Sequence, residues 1–289
     1  MKATAIEFRF RMLIQIVIVF VAMWAPWIRP WDMGRRRSML EWLALEISRT
    51  GLASFTLSTS IVIVIGALLA AIGMVLRVWG AVYLGYDVVH DENMQGGGVM
   101  VAGPYRYMRN PLYLGGWCTM AAIALLLTPS GALFMVVLIG IFLFRLVLGE
   151  EAFLCEELGE PYREYLRAVP RILPRFRSSL PSAAAKPRWM IAMLTEIMAI
   201  GAFLTMAFVS WTFDNTAMLW GILISFVASM VVRGLMKAPI PTSAFLVAAP
   251  AAWGLFHLSI VRALLIGLGA SLVVGALMPR VKPDAKAQE

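Results

Sequence analysis

Charge is scarce in this 289-residue sequence: 15% of its residues are Asp, Glu, Lys or Arg, 61% are hydrophobic, and the mean hydropathy is +0.80. Soluble globular domains carry about 25% charged residues and about 45–50% apolar ones, so that class is excluded. Histidine and cysteine number only two each. Cys118 lies inside an apolar run and Cys155 in a charged segment. Two such scattered thiols make no disulfide framework, and nothing points to an oxidising compartment. Sustained alternation of apolar and polar residues is also missing, which excludes a membrane β-barrel. What is present instead is a series of uncharged runs, several of about 18 residues or more, enough to cross a hydrocarbon core of ~30 Å. They recur along the whole chain, so a single anchor with a soluble head is excluded. The fold class expected is all-α, a polytopic transmembrane protein. The net charge of +8 does not indicate nucleic acid, because loop arginines facing anionic headgroups account for it.

The first run, Met12–Ile28, follows Lys2, Glu7, Arg9 and Arg11 and has no small-residue cleavage site after it. It reads as a retained span rather than a signal peptide. Ser38–Ser48 alternates apolar and acidic residues at helical spacing and suits an interfacial helix. Leu52–Leu76 is uncharged, and its helical pattern continues past Arg77 to Leu84. Asp87–Arg109 reads as a loop, and Glu150–Arg188 as a polar, soluble segment. Between them, Pro111–Phe144 is broken by Thr128-Pro129-Ser130-Gly131, which predicts two helices and a tight turn. Ile197–Phe213, Asn215–Val232, Thr242–Phe256 and Ala263–Met278 complete about eight spans of ~20 residues. Ser178–Pro187 has linker composition. It divides residues 1–185, a four-span unit with nearly all the polar chemistry, from residues 186–289, a four-span unit with little.

Arginines and lysines cluster at Arg106–Arg109, Arg163–Arg188, Arg233–Lys237 and Arg280–Lys286, while the turns at Thr128–Gly131 and Asp214 have almost none. The positive-inside rule makes the first set cytoplasmic. By the same rule Arg29, Arg35, Arg36, Arg37 and Arg49 fall on the opposite side unless their segment lies in the interface.

Three groups of residues can carry chemistry, all at the expected cytoplasmic boundary. They are Arg77-Val-Trp-Gly-Ala-Val-Tyr-Leu-Gly85, then Gly103-Pro-Tyr-Arg-Tyr-Met-Arg-Asn-Pro-Leu-Tyr-Leu-Gly115, then Arg145 with Glu150-Glu151 and the segment Leu158–Pro174. Singly, each reads as ordinary arginine and tyrosine anchoring at span ends. In order and wording they resemble the isoprenylcysteine carboxyl methyltransferase and phospholipid methyltransferase superfamily of integral membrane enzymes. The resemblance covers roughly Ile72 to Pro174, about a third of the chain. It implies an S-adenosylmethionine-dependent methyltransferase, a cofactor site at the cytoplasmic face of what would be a bacterial inner membrane, and a lipid-like or prenylated acceptor drawn from the surrounding lipid.

The resemblance also implies the site residues. Tyr105 falls on a cofactor-contacting tyrosine, and Asn110, Pro111, Leu112 and Tyr113 on a His-Pro-x-Tyr stretch. Glu150 falls on the cofactor-contacting glutamate, with Glu151 as its partner. Gly97, Gly98, Val99 and Met100 correspond to backbone contacts with the cofactor. Arg145 lies near an arginine that faces the acceptor, and Arg109 is a second cation able to hold an anionic carboxylate or phosphate. Asn110 departs from the family, which has His there; Asn bonds in both directions but does not titrate near neutral pH. The unit from Lys186 onward is a second departure.

The residues support such a site independently. A sulfonium donor needs carboxylate and aromatic neighbours, and in-line methyl transfer draws on positioning and exclusion of water. A carboxylate acceptor needs no general base, whereas an amine or thiol must first lose a proton. The two histidines therefore favour carboxyl methylation of a prenylcysteine type over N-methylation of a phosphatidylethanolamine type. An NADPH-dependent membrane reductase is the competing enzyme class, opposed by the repulsion of a phosphorylated nucleotide from Glu150-Glu151. A transporter or a non-catalytic scaffold is the non-enzyme reading, although no internal repeat supports a transporter. Asp87, His90, Asp91 and Glu92 read as a solvated loop rather than a metal site, and Gly96–Gly98 lacks the strand–helix context of a dinucleotide fingerprint. His257 reads as interfacial, and Glu196 as a carboxylate near the headgroups rather than one paired inside the bundle.

Overall fold

The computed structural model describes residues 2–24, 37–84, 101–177, 180–181 and 186–237. Every regular element among them is helical. The chain divides into two compact units, Met1–Phe226 and Val227–Glu289, and the site lies wholly in the first.

The N-terminal helix α1 (Ala5–Arg9) starts at a capping box in which Thr4 and Glu7 exchange bonds, satisfying two otherwise orphaned donors. It leads into α2 (Arg11–Trp24). Next comes α3 (Met39–Arg49), capped by Ser38. Then α4 (Phe55–Leu84) runs 30 residues without a break. The hairpin expected on either side of the Thr128–Gly131 turn is present as α5 (Pro111–Ala124) and α6 (Pro129–Leu158). A short α7 (Glu160–Ala168) follows.

Helix α6 extends well beyond Phe144, into the stretch that reads as a polar segment in sequence, and carries Glu150 and Glu151 as helical residues. No breaker interrupts it until Gly159, whose φ of 63° and ψ of −137° suit glycine alone. Further along, α8 (Trp189–Thr195) and α9 (Ile197–Leu204) meet at a 70° bend centred on Glu196. One π turn (Thr205–Val209) and one 3₁₀ turn (Ser210–Thr212) lead to α10 (Asn215–Lys237).

Among the described residues, three helices are long and apolar enough to cross a membrane: α4, α6 and the Asn215–Met236 part of α10. The bent pair α8–α9 and its continuation make a fourth if they form one span. The exposed face of α4 is apolar, with Val64, Ile65, Leu68, Ile72 and Val75 all outward, as lipid contact requires. The apolar helix α2 has 14 residues, and the rest of the first expected run lies outside the described residues. The runs at Thr242–Phe256 and Ala263–Met278 also lie outside them.

Three glycines spaced by seven residues on α4 set how closely α5 packs against it. A Cβ at Gly66 would come 2.7 Å from Leu125, one at Gly73 would come 2.4 Å from Thr119 Oγ1 and 2.9 Å from the Gly115 carbonyl, and one at Gly80 would come 2.9 Å from Leu112. Small residues at such a seam let two helices approach and gain dispersion contacts, the main attraction available in lipid. The residue order shows that the two helices run antiparallel.

At the turn end of the hairpin, the first backbone N–H groups of α3 meet carbonyls of the turn that follows α5. Met39 N donates to Leu127 O at 2.6 Å and Leu40 N to Leu125 O at 2.9 Å. Each helix end would otherwise leave these groups unpaired. The cations of this segment are neutralised nearby, Arg37 by Glu41 and Arg49 by Glu46.

Candidate functional site

The opposite end of the hairpin is polar. Pro111 opens α5 with a ring that lacks the N–H the first turn would leave unpaired, which puts Asn110 at the N-cap and Tyr113 in the first turn. Across from them, α6 presents Glu150 and Glu151 on different faces, as consecutive helical residues must.

Glu151 is saturated. Its Oε1 accepts from Asn110 Nδ2 at 3.2 Å and lies 3.3 Å from Arg109 Nη1. Its Oε2 receives Arg171 through Nε at 3.0 Å and Nη2 at 2.9 Å. The Glu151 and Arg109 side chains are 7% and 10% exposed, so this charge cluster is held inside protein. Asn110 Nδ2 also donates to the Arg171 carbonyl at 3.1 Å. One amide nitrogen thus serves two acceptors, which neither ring nitrogen of a neutral imidazole can do with its single proton. Asn110 therefore acts here as a double donor that ties α5 to α6 and to the segment after α7.

Glu150 has a different environment. Tyr113 donates its hydroxyl to Oε2 at 2.7 Å. The side chain is half-buried, and the charge of Arg11, at the start of α2, acts on both Glu150 and Tyr113. The Arg11 guanidinium sits 4.3 Å from the centre of the Phe8 ring. Nothing in the sequence motifs points to Arg11. The signal available is its i, i+4 spacing from Glu7 in an amphiphilic N-terminus.

Tyr105 lies in the 3₁₀ turn Gly103–Arg106 and is buried. Tyr165 of α7 donates to its carbonyl at 2.8 Å. Burial, reinforced by the charge of Glu150, pushes the Tyr105 phenol well above its ordinary range, so it remains a protonated donor. Burial likewise raises Tyr162 and Tyr165.

Arg145 is engaged elsewhere: Nη2 donates to both Glu7 oxygens at 2.8 Å. The Thr4 backbone bond and then Arg145 hold the Glu7 carboxyl below its ordinary value. The stabilisation this carboxylate gives is present above the ordinary carboxylate range and is lost as pH falls through the depressed value. Arg109 Nε is buried with no hydrogen-bond partner among the described residues, which leaves a donor for a ligand acceptor.

Glu196 corrects its sequence reading. It is 0% exposed and paired inside the bundle with Arg77, whose Nε donates to Oε2 and whose Nη2 donates to Oε1 at 3.0 Å. The bend at Glu196 turns the carboxylate inward instead of letting it climb to the headgroups.

Thus Arg109, Asn110, Glu151 and Arg171 of the Leu158–Pro174 segment form one cluster, Tyr113 and Glu150 form a second, and Arg145 joins Glu7. Pro111 and Leu112 supply the α5 turn between the clusters. Gly97, Gly98, Val99, Met100 and the loop residues Asp87, His90, Asp91 and Glu92 lie outside the described residues, as does His257. Among the described residues no group of metal-ligating side chains occurs.

Fold and site together define an integral membrane protein of apolar helices with a buried polar end. Residues 61–160 match the phospholipid methyltransferase family, in agreement with the superfamily that the motifs between Ile72 and Pro174 resemble. No curated protein and no solved structure matches the chain.

Proposed function

We propose that the chain is an S-adenosylmethionine-dependent methyltransferase acting on a lipid-like acceptor that presents an anionic group. The observation that carries this reading is the contrast between the two carboxylates. Arg109 and Arg171 face Glu151, so that cluster keeps a surplus positive charge and an unspent Arg109 Nε. Glu150 keeps lone pairs beyond the Tyr113 bond.

These residues fit the cofactor by their chemistry. Glu150, Tyr113 and Tyr105 suit its cationic and aromatic parts, with Asn110 and Glu151 holding the frame behind them. Bound S-adenosylmethionine would supply an electrophilic methyl group. Tyr113 fixes the Glu150 carboxylate, and the α4–α5 seam keeps water from the helices beneath. Arg109 is the group we assign to the acceptor anion, and Arg145, held by Glu7, anchors the N-terminal helix.

The sequence holds only two histidines, and Glu151 is fully engaged by Arg109, Asn110 and Arg171. That favours an acceptor already ionised, a prenylcysteine-type carboxylate giving a methyl ester. The family match itself favours the second reading, a phosphatidylethanolamine-type amine. Loop arginines support a site on the cytoplasmic side, and the apolar runs beyond the described residues support about eight spans.

The test is calorimetric titration of the detergent-purified protein with S-adenosylhomocysteine, and with NADPH in parallel. Saturable binding of the first alone is expected, and Glu150→Ala should abolish it while the melting transition persists. Binding of NADPH alone would make the chain a reductase. Transfer of labelled methyl to a farnesylated cysteine carboxylate or to phosphatidylethanolamine vesicles then separates the acceptors.

A further inference from the structure

The matched family region ends at residue 160, yet a residue beyond it is joined through Arg77 to the first turn of α5. We infer that Glu196 is a positioning residue for the site, acting through Arg77 on the backbone that carries Tyr113. This rests on the reading of Glu150 and Tyr113 as the cofactor site.

The chain of contacts is short. Glu196 sits at the α8–α9 bend with no exposure. A carboxylate there is tolerable only when paired and hydrogen-bonded, and Arg77 supplies both bonds in a fork. The fork fixes the guanidinium plane, and the remaining nitrogen, Nη1, donates to the Leu112 carbonyl at 3.3 Å. Leu112 precedes Tyr113, whose hydroxyl holds Glu150 at 2.7 Å.

The glycines make room for this arm. A Cβ at Gly115 would come 2.8 Å from Arg77 Cγ, and one at Gly116 would come 3.2 Å from Nη1. Two side-chain-free positions on successive residues of α5 let the guanidinium lie against the helix rather than beside it. The Leu112 side chain packs over Gly80, where Tyr105 also approaches. A shift of this turn would therefore move both tyrosines of the site. The backbone bond from Arg188 N to Val82 O at 3.0 Å ties the start of α8 to the same end of α4. Helices α8 and α9 thus contribute a strut to the site rather than cover alone.

Arg77→Lys separates positioning from simple stability. An ammonium can keep the charge pair with Glu196, but it cannot also reach Leu112 in the forked geometry. Two readouts are needed: hydrogen exchange of the peptide covering residues 111–117 in the ligand-free protein, and S-adenosylhomocysteine affinity by calorimetry. Arg77→Lys should melt close to wild type, exchange that peptide faster, and bind about tenfold more weakly, the scale of one charged hydrogen bond. Glu196→Gln, which keeps an acceptor for the fork without its charge, should show the same pattern less strongly.

Wild-type exchange and wild-type affinity in Arg77→Lys would overturn the inference. A lower melting temperature with no local change would reduce the pair to a structural one and overturn it equally. If the wild-type protein binds no S-adenosylhomocysteine but the 111–117 exchange still rises, the strut stands and the cofactor reading falls.

Discussion

The two ends of the α5–α6 hairpin solve one problem with opposite chemistry. At the turn end, backbone donors from α3 meet backbone acceptors of the turn after α5, Thr128 caps α6, and leucines fill the space around them. At the other end, side-chain charge does the joining: Glu151 gathers Arg109 and Asn110 from one stretch of chain and Arg171 from another. Neutral backbone bonds close a helix end with little desolvation at stake. A buried ionic cluster is costly to assemble and strongly destabilised when one partner is lost. The difference is what a site needs, because only the ionic end keeps fixed charges that a ligand can meet.

Glu151→Ala should break the comparison most severely. It leaves the nearly buried Arg109 without its counter-charge, and loss of one partner in such a pair costs about 3–5 kcal/mol. Thermal unfolding in detergent should show a large drop, and a melting curve like wild type would mean the cluster is looser than its distances indicate. Gly73→Ala tests the seam between the ends. Its Cβ would meet Thr119 Oγ1 at 2.4 Å and the Gly115 carbonyl at 2.9 Å, and overpacking of this kind costs about 1–3 kcal/mol. Melting would reveal it, with weaker S-adenosylhomocysteine binding because Arg77 shares that seam. Thr128→Ala is the mildest. It removes the side-chain cap on Gly131 N, worth about 1 kcal/mol, and should lower stability while ligand affinity stays unchanged. A fall in affinity there would show that the two ends are coupled.

The long helices were legible because an uncharged run has one stable form in lipid, and Leu52–Leu84 reads directly as α4. The hairpin break was legible in Thr128-Pro129, where a cap residue precedes a proline suited to the first helical turn. The juxtaposition that makes the candidate site was legible where residues are neighbours in sequence: Asn110 and Tyr113 meet Glu151 and Glu150 across the hairpin. Partners remote in sequence were not. Arg171 reaches Glu151 across 20 positions and Glu196 reaches Arg77 across 119, and no local pattern encodes either pairing. The end of α6 was misread because hydropathy falls after Phe144, whereas helix propensity does not. Glu and Leu are good helix formers, so the backbone continues where the apolar pattern stops. Glu196 was misread because a run containing one carboxylate gives no hint of the bend that turns it inward.

The joint between α3 and α5 bears on how the molecule is made. Its donors, Met39 N and Leu40 N, precede its acceptors, Leu125 O and Leu127 O, by more than eighty positions. Translation therefore produces the donors first, and α5 can find its terminal partners as soon as it emerges. The same order means that a chain truncated at its start would insert α5 with two carbonyls waiting for hydrogen bonds the remaining protein cannot give. The amino-terminal segment thus supplies partners to the hairpin's turn as well as lying beside its polar end.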